Sequence, residues 1–355
     1  MRHLPKLAAE APVPGVVISG VGAEMPPNVV STAEVEERAR IARFGFGPGW
    51  LERITGVRER RWADPDVQPS DLAAAAGRKA LASAGLDVRD VDVVLFAGIT
   101  RDVIEPATSN IVADKLGACE ARVLDVTNAC NGLIDGLDLA DSLIRTGKAR
   151  RVLVTTGERA SISIAWQSRT VDEFLRSVAG LVVGDGGGAL LVEPSPDAER
   201  GILGREYRSQ PAHWRLAIGG RFRPTTQACE VCGGVVDLRF LCDGRKLFEV
   251  GFAMMPPVMQ AAMESTGWGY EELDAVFCHE ASKRFVENGM SLLGDTENPG
   301  PKIWSTVERF GNTSTVSLAL QMAEALEAGA LVPGAKVLAL GGSSGASMAA
   351  VTMVW

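Results

Sequence analysis

Two stretches decide the fold: Ala80-Leu-Ala-Ser-Ala-Gly-Leu-Asp-Val-Arg-Asp-Val-Asp-Val-Val-Leu-Phe96 and Ala262-Met-Glu-Ser-Thr-Gly-Trp-Gly-Tyr-Glu-Glu-Leu-Asp-Ala-Val-Phe-Cys278. Gly85 matches Gly267, Asp92 matches Asp274 and Val94 matches Val276, each pair 182 residues apart. Each stretch reads as a helix, a glycine stop, a short polar turn and a buried apolar strand. The same spacing carries Cys130 to Asn312 and Gly147 to Gly329. Residues at helical period follow each of the first pair: Leu133, Leu137, Ala140 and Ile144 in one case, Thr315, Ala319, Met322 and Leu326 in the other. A strand comes next in both, at 151–155 and 336–340. A Gly-rich approach then enters another apolar strand, at 184–193 and 344–354.

The chain therefore reads as two fused α/β halves, 1–200 and 201–355. The first carries Cys130, the second His279 and Asn312. Two sheets buried on both faces are expected around shared central helices, which begin just after Cys130 and Asn312. Residues from about 195 to 255 have weaker periodicity and several Gly, Pro and Arg. They are expected to hold insertions that shape a substrate cleft.

The bulk numbers exclude several classes. The chain has 355 residues, 46% of them apolar, enough for one large core or two fused ones. A formal net charge of −8 argues against nucleic acid or an anionic membrane surface as the main partner. No stretch reads as a membrane span, and Met1 to Pro14 lacks the apolar run of a signal peptide. A cytoplasmic setting is expected. The six cysteines are then unlike a disulfide framework. Cys229 and Cys232 form a CxxC without the further ligands a zinc site needs, so they are expected to be structural or pocket-lining, and no metal is expected.

Cys130 stands where a strand at 123–126 gives way to a helix. A thiol at a helix N-terminus feels the positive end of the dipole, which favours the thiolate. The small residues of Asn128-Ala-Cys-Asn-Gly132 suit the tight turn of a nucleophile elbow. A nucleophilic thiolate needs a base, and the chain has only three histidines: His3, His213 and His279. His3 is in the terminal tail and His213 in the irregular stretch. His279 ends the strand at 273–278, where α/β enzymes place functional groups. Asn312 takes the Cys130 position in the second half. Its amide could donate to a thioester carbonyl or an enolate.

Taken together, Asn128-Ala-Cys-Asn-Gly, His279-Glu-Ala-Ser, Phe310-Gly-Asn-Thr-Ser, Gly341-Gly-Ser-Ser-Gly and Gly56-Val-Arg58-Glu-Arg60 resemble the β-ketoacyl-ACP synthase III enzymes of the thiolase superfamily. The likeness covers nearly the whole chain. It implies the thiolase fold: duplicated α/β halves in a five-layer α-β-α-β-α sandwich. The closer resemblance looks to be to the OleA thiolases, which join two fatty acyl-CoAs head to head. Arg60-Arg-Trp-Ala-Asp-Pro-Asp-Val-Gln-Pro-Ser-Asp71, Ser109-Asn-Ile-Val112, Val354-Trp355 and Arg101-Asp-Val-Ile-Glu-Pro-Ala-Thr108 carry that likeness. In synthase III enzymes the residue before the proline of the last segment is typically phenylalanine. In OleA it is a glutamate, here Glu105.

The resemblance implies that Cys130 takes an acyl group from acyl-CoA or acyl-ACP, with an oxyanion hole at the N–H groups of Cys130 and Ser344. Glu105 from a second subunit would remove the α-proton of a second acyl-CoA, with His279 and Asn312 stabilising the enolate. A decarboxylating synthase loses carbon dioxide instead and needs no such base; burial would make the carboxylate a stronger one. The product is a 2-alkyl-3-ketoacyl thioester or, after hydrolysis, a β-keto acid. No cofactor is implied beyond the coenzyme A thioesters. The implied assembly is a homodimer, or a heterodimer with a related chain. Two patterns depart from the family. The tryptophan–arginine contact to coenzyme A becomes Trp50…Ile54-Thr-Gly56, with Arg53 adjacent and Arg58 beyond. Glu280 follows the histidine, either shifting its pKa or facing solvent. The rivals are a decarboxylative synthase III, an acyltransferase of a specialised pathway, and a non-catalytic partner subunit.

Overall fold

The computed structural model describes residues 15–222, 236–291 and 302–355. The first half runs β1 (Gly15–Glu24), α1 (Pro69–Ala84), β2 (Val93–Phe96), α2 (Thr108–Leu116), β3 (Arg122–Asp125), α3 (Gly132–Arg145), β4 (Val152–Glu158), α4 (Val171–Leu181) and β5 (Gly186–Ser195). The second runs β6 (Gly201–Ser209), α5 (Gly244–Glu264), β7 (Ala275–Cys278), β8 (Lys302–Ile303), α6 (Ser317–Glu327), β9 (Lys336–Ser343) and β10 (Ser347–Val354). Spatial order is β8-β7-β9-β10-β6-β1-β5-β4-β2-β3. Read outward from the centre, both halves repeat one pattern, in which two antiparallel pairings give way to two parallel ones.

Expected as two sheets, the five-strand sets are in fact hydrogen-bonded edge to edge, where Val16 pairs with Gly201. Gly201 permits this contact. It has φ 89°, and a Cβ there would lie 1.9 Å from the Val16 carbonyl oxygen.

The layers follow from strand alternation, which sends neighbouring side chains to opposite faces. Val94 and Phe96 pack outward under α1 and α2, with Ala73, Ala76 and Ala80. Val93 and Leu95 point inward, into one core with Leu133, Leu137 and Ile144 of α3, Leu318 and Met322 of α6, and Phe277 and Val337 of the second half. Val276 and Leu338 point outward again, under Met254, Val258 and Met259 of α5. The result is five layers, with α3 and α6 in the middle. Leu133, Ile134, Leu137 and Ile144 are all buried, and each such side chain contributes about 1.5–3 kcal/mol. Asn131 makes no capping bond to α3, and a cap would add only about 1 kcal/mol. Packing, not capping, therefore sets where α3 begins.

The duplication is looser than the constant spacing implies. α4 is inserted between β4 and β5, whereas a short turn joins β9 to β10. α3 starts two residues after Cys130, but a 3-10 turn, Ser314–Val316, stands between Asn312 and α6. The stretch read as irregular holds β6 and the 21-residue α5, so the insertion narrows to 210–243. Pro256 and Pro257 inside α5 hid it, since proline removes a helix donor. Cys229, Cys232 and His3 lie outside the described residues. Among the described residues, no helix is long and apolar enough to cross a membrane. None of their His, Cys, Asp and Glu side chains form a group suited to a metal.

Candidate active site

Cys130 sits in the turn from β3 into α3. The turn is closed by the Asn131 N–H on the Asn128 carbonyl (3.1 Å) and the Gly132 N–H on the Ala129 carbonyl (3.0 Å). Ala129 takes the strained left-handed conformation, φ 46°. Gly132 is required by close approach, because a Cβ would stand 2.1 Å from the Ala97 oxygen. The half-buried thiol is thereby held beside the positive end of α3.

His279 is held from both sides. Its N–H donates to the Leu340 carbonyl (2.9 Å). The preceding residue, Cys278, is clamped by buried Gln321 of α6, whose Oε1 accepts from the Cys278 N–H and whose Nε2 donates to the Cys278 carbonyl, both at 2.8 Å. Asn312 is anchored through its backbone, N–H to the Val182 carbonyl (2.8 Å) and carbonyl from the Gly184 N–H (3.0 Å).

The three groups converge on Ser314. Its hydroxyl donates to Cys130 Sγ (3.5 Å), its carbonyl accepts from His279 Nδ1 (3.3 Å), and its N–H donates to Asn312 Oδ1 (2.9 Å). This orients the Asn312 amide with Nδ2 as its donor and leaves the other His279 nitrogen for the thiol. Ser314 reaches all three by adopting φ 54°. Sequence reasoning assigned it no role, though it stands 182 residues after Gly132.

The electrostatics favour a thiolate–imidazolium pair. Burial pushes the Cys130 thiol up, but the His279 charge and the hydrogen bonds from His279 and Ser314 outweigh it and hold the thiol below its ordinary value. Burial pushes His279 down, yet the Cys130 charge and hydrogen bond, the Ser314 carbonyl and the Glu280 charge carry it above its ordinary value. A thiolate at working pH is the nucleophilic form.

Glu280 does not face solvent. It is buried, accepting from the Thr306 N–H (2.8 Å), the Thr306 hydroxyl (2.9 Å), the Val307 N–H (3.1 Å) and the Ser305 hydroxyl. It thus joins the end of β7 to the segment that leads to Asn312, and its charge is one cause of the His279 shift.

The remaining predicted residues stand on other elements. Ser344 is in the β9–β10 turn. That turn is tied to the Cys130 turn through Asn131, whose Nδ2 donates to Ser347 Oγ (3.0 Å), rather than through Ser344. Glu105 is exposed in the 97–107 loop and is not among the groups that shift the Cys130 thiol. Its neighbour Ile104 is 72% exposed, and Val103 is exposed too. Arg53 and Arg58 line a surface cleft of about 490 Å³ with Glu52, Lys283 and Glu308. Glu308 already pairs with Arg58 (2.8 Å) and Lys283. Trp50 packs away from that cleft, against Phe46 (ring centroids 4.1 Å) and Phe174. His213 lies in the 3-10 turn Pro211–Leu216, outside the cluster.

A thiolate at the helix start of one half, faced by a histidine and an asparagine from the other, is the architecture of a thiolase-type condensing enzyme, an acyltransferase. Comparison with known proteins agrees, and the chain belongs to the β-ketoacyl-[acyl-carrier-protein] synthase III family. The family model for 3-oxoacyl-[acyl-carrier-protein] synthase III matches residues 124–211, and the model for its C-terminal part matches 263–355. The synthase III of Rhizobium johnstonii is 32% identical over 344 residues, covering 96% of this chain and 99% of that protein. That of Geobacillus kaustophilus is 29% identical over 342 residues, covering 96% and 99%. Among solved structures, a variant of Xanthomonas campestris OleA superposes with a TM-score of 0.85 at 27% identity, over 96% of this chain and 98% of that one. Another OleA variant, with lauric acid and lauroyl-CoA bound, gives 0.85 at 28% identity over 96% and 99%.

Proposed function

We propose that this enzyme joins two fatty acyl-CoAs by a non-decarboxylative Claisen condensation. The observation that carries the reading is Glu105, a carboxylate at the exposed, apolar tip of a loop beside Val103, Ile104 and Pro106. Such a group suits insertion into a second subunit, where an apolar site would strengthen it as a base. A homodimer follows from this reading, and a heterodimer with a related chain would serve equally.

The Cys130 thiolate attacks the thioester carbonyl of the first acyl-CoA. The oxyanion is stabilised by the N–H groups at Cys130 and Ser344. Coenzyme A leaves as a thiol with the proton held by His279, the acyl group stays on sulfur, and the imidazole takes a new proton from water so that it can donate again. A second acyl-CoA enters past Arg53 and Arg58. Glu105 of a second copy takes its α-proton, and the enolate oxygen is held by His279 and Asn312 Nδ2. The enolate carbon attacks the Cys130 thioester, expelling the thiolate and giving a 2-alkyl-3-ketoacyl-CoA. Water then hydrolyses this to a β-keto acid. Every step uses the chain's own groups, the two thioesters and water, without a further cofactor.

The test is one long-chain acyl-CoA supplied without a malonyl donor, followed by mass spectrometry. Free coenzyme A and a condensed product are expected, and absence of both would sink the reading. Glu105→Gln should acylate Cys130 and fail to condense. Normal condensation by that variant would remove Glu105 from the mechanism. The naming of the 32% identical relative favours a second reading, decarboxylative condensation with a malonyl thioester. Release of carbon dioxide from malonyl thioester would establish it.

A further inference from the structure

One buried carboxylate near the site has no part in the steps above. Glu158, the last residue of β4, is 0% exposed. Among the described residues, no cation pairs with it. Its four bonds come instead from two different places. The Ile99 N–H (2.8 Å), the Thr100 N–H (3.1 Å) and the Thr100 hydroxyl (3.0 Å) belong to the 97–107 loop, which carries Glu105. The Thr315 hydroxyl (2.5 Å) belongs to the turn that carries Ser314. Thr315 is held in turn by Thr156 of β4, hydroxyl to hydroxyl at 2.5 Å.

The loop is thereby fastened at its base and left free at its tip. Besides Glu158, Asp102 accepts from the Ser70 N–H (3.0 Å) and hydroxyl (2.5 Å), and Asp125 accepts from the Thr108 and Ser109 N–H groups (2.9 and 2.8 Å) at the far end. Between these anchors, Val103, Ile104, Glu105 and Pro106 are exposed. Of the three anchors, only Glu158 also touches the turn that holds the thiol and the histidine. An uncompensated buried carboxylate is costly, and apolar residues would fill the volume at less cost.

We infer that Glu158 is a positioning residue that locks the Glu105-bearing loop to the Ser314–Thr315 turn. This role rests on the condensation proposed above. Loosening the loop base misplaces Glu105 and spares the Cys130 turn, so condensation suffers more than acylation.

The test uses the full-length enzyme and three variants. For Glu158→Gln, condensation of a single acyl-CoA falls about 100-fold, the size expected of a misplaced catalytic group, and at least about tenfold further than the coenzyme A burst of first acylation. Glu158→Asp keeps the carboxylate and shortens the reach, so it loses condensation ahead of acylation as well. Thr315→Val, which cuts one link without altering charge, shows the same split if Glu158→Gln does not fold. A Glu158→Gln or Thr315→Val enzyme that loses acylation and condensation by one factor overturns the role of Glu158 while the condensation reading stands. A wild-type enzyme that does not condense overturns the condensation reading, and this role with it.

Discussion

Replacing Ser314 with glycine separates its chemistry from its architecture. At φ 54° an L-residue carries a backbone cost of roughly 1–2 kcal/mol, which glycine escapes. Glycine forfeits about 0.5–1 kcal/mol of that in chain entropy. The fold should therefore stay within about 1 kcal/mol of wild type, a shift of no more than about 3 °C in Tm. The N–H to Asn312 and the carbonyl to His279 survive, because both are backbone groups. Only the hydroxyl on Cys130 Sγ is lost. A hydrogen bond to a charged acceptor contributes about 1.5–3 kcal/mol, and one contact of 3.5 Å to sulfur warrants the lower figure. At about 1.4 kcal/mol per decade, first acylation should slow roughly tenfold. The assay is the burst of coenzyme A in stopped flow, with iodoacetamide alkylation across pH as a second readout. The burst slows and the alkylation midpoint rises, because one of the bonds holding the thiol low is gone. A Ser314→Gly enzyme with wild-type burst and midpoint would refute the hydroxyl's role and leave Ser314 as a scaffold only.

Other perturbations test the same cluster. His279→Asn leaves burial unopposed by an imidazolium, so the Cys130 alkylation midpoint climbs and the coenzyme A burst disappears; an unmoved midpoint would break the ion-pair account. In the wild type, burial pushes Cys242 up to about 12 and Cys278 higher still. Peptide mapping after brief iodoacetamide treatment near neutral pH should therefore find Cys130 labelled well before either. Gln321→Leu keeps the volume but strips partners from the Cys278 N–H and carbonyl. At about 1–3 kcal/mol for each buried group left unsatisfied, urea unfolding should show a loss of roughly 2–6 kcal/mol; a loss under about 1 kcal/mol would mean water replaces the clamp.

The repeat was legible because burial on both sheet faces imposes the same residues twice. Gly85 and Gly267 both take left-handed φ at helix ends, 66° and 71°. Asp92 and Asp274 both accept backbone N–H groups, from Arg151 (2.9 Å) and Lys336 (2.8 Å). The fixed 182-residue spacing then found Asn312 from Cys130. It could not find α4, since an insertion changes spacing after the landmark has passed. Nor could it find Glu158: β4 continues three residues beyond the apolar run that marked it, and a glutamate there reads as surface. Glu280 stayed ambiguous for the same reason, because a carboxylate is buried only when donors meet it, and its donors sit 25 to 27 residues away. Trp50 was legible as a motif residue, but the aromatic partners that draw it from the cleft lie outside the motif.

The asymmetry between the halves explains why one framework holds one nucleophile. Gly132 and Ser314 occupy equivalent positions. In the first half the side chain must be absent, since α3 packs its first residue onto the Ala97 carbonyl. An α-helix can then begin immediately, and its positive end falls beside Cys130. In the second half a 3-10 turn intervenes before α6. It costs Asn312 the close dipole but leaves room for a side chain and turns a carbonyl outward. That carbonyl takes the His279 N–H, and that side chain takes the thiol. A thiol at 312 would lack both the dipole and a facing histidine, because the residue equivalent to His279 in the first half is Ala97. The duplication supplies two symmetrical helix starts, and divergence at Gly132/Ser314 and Ala97/His279 makes only the first a place for a thiolate.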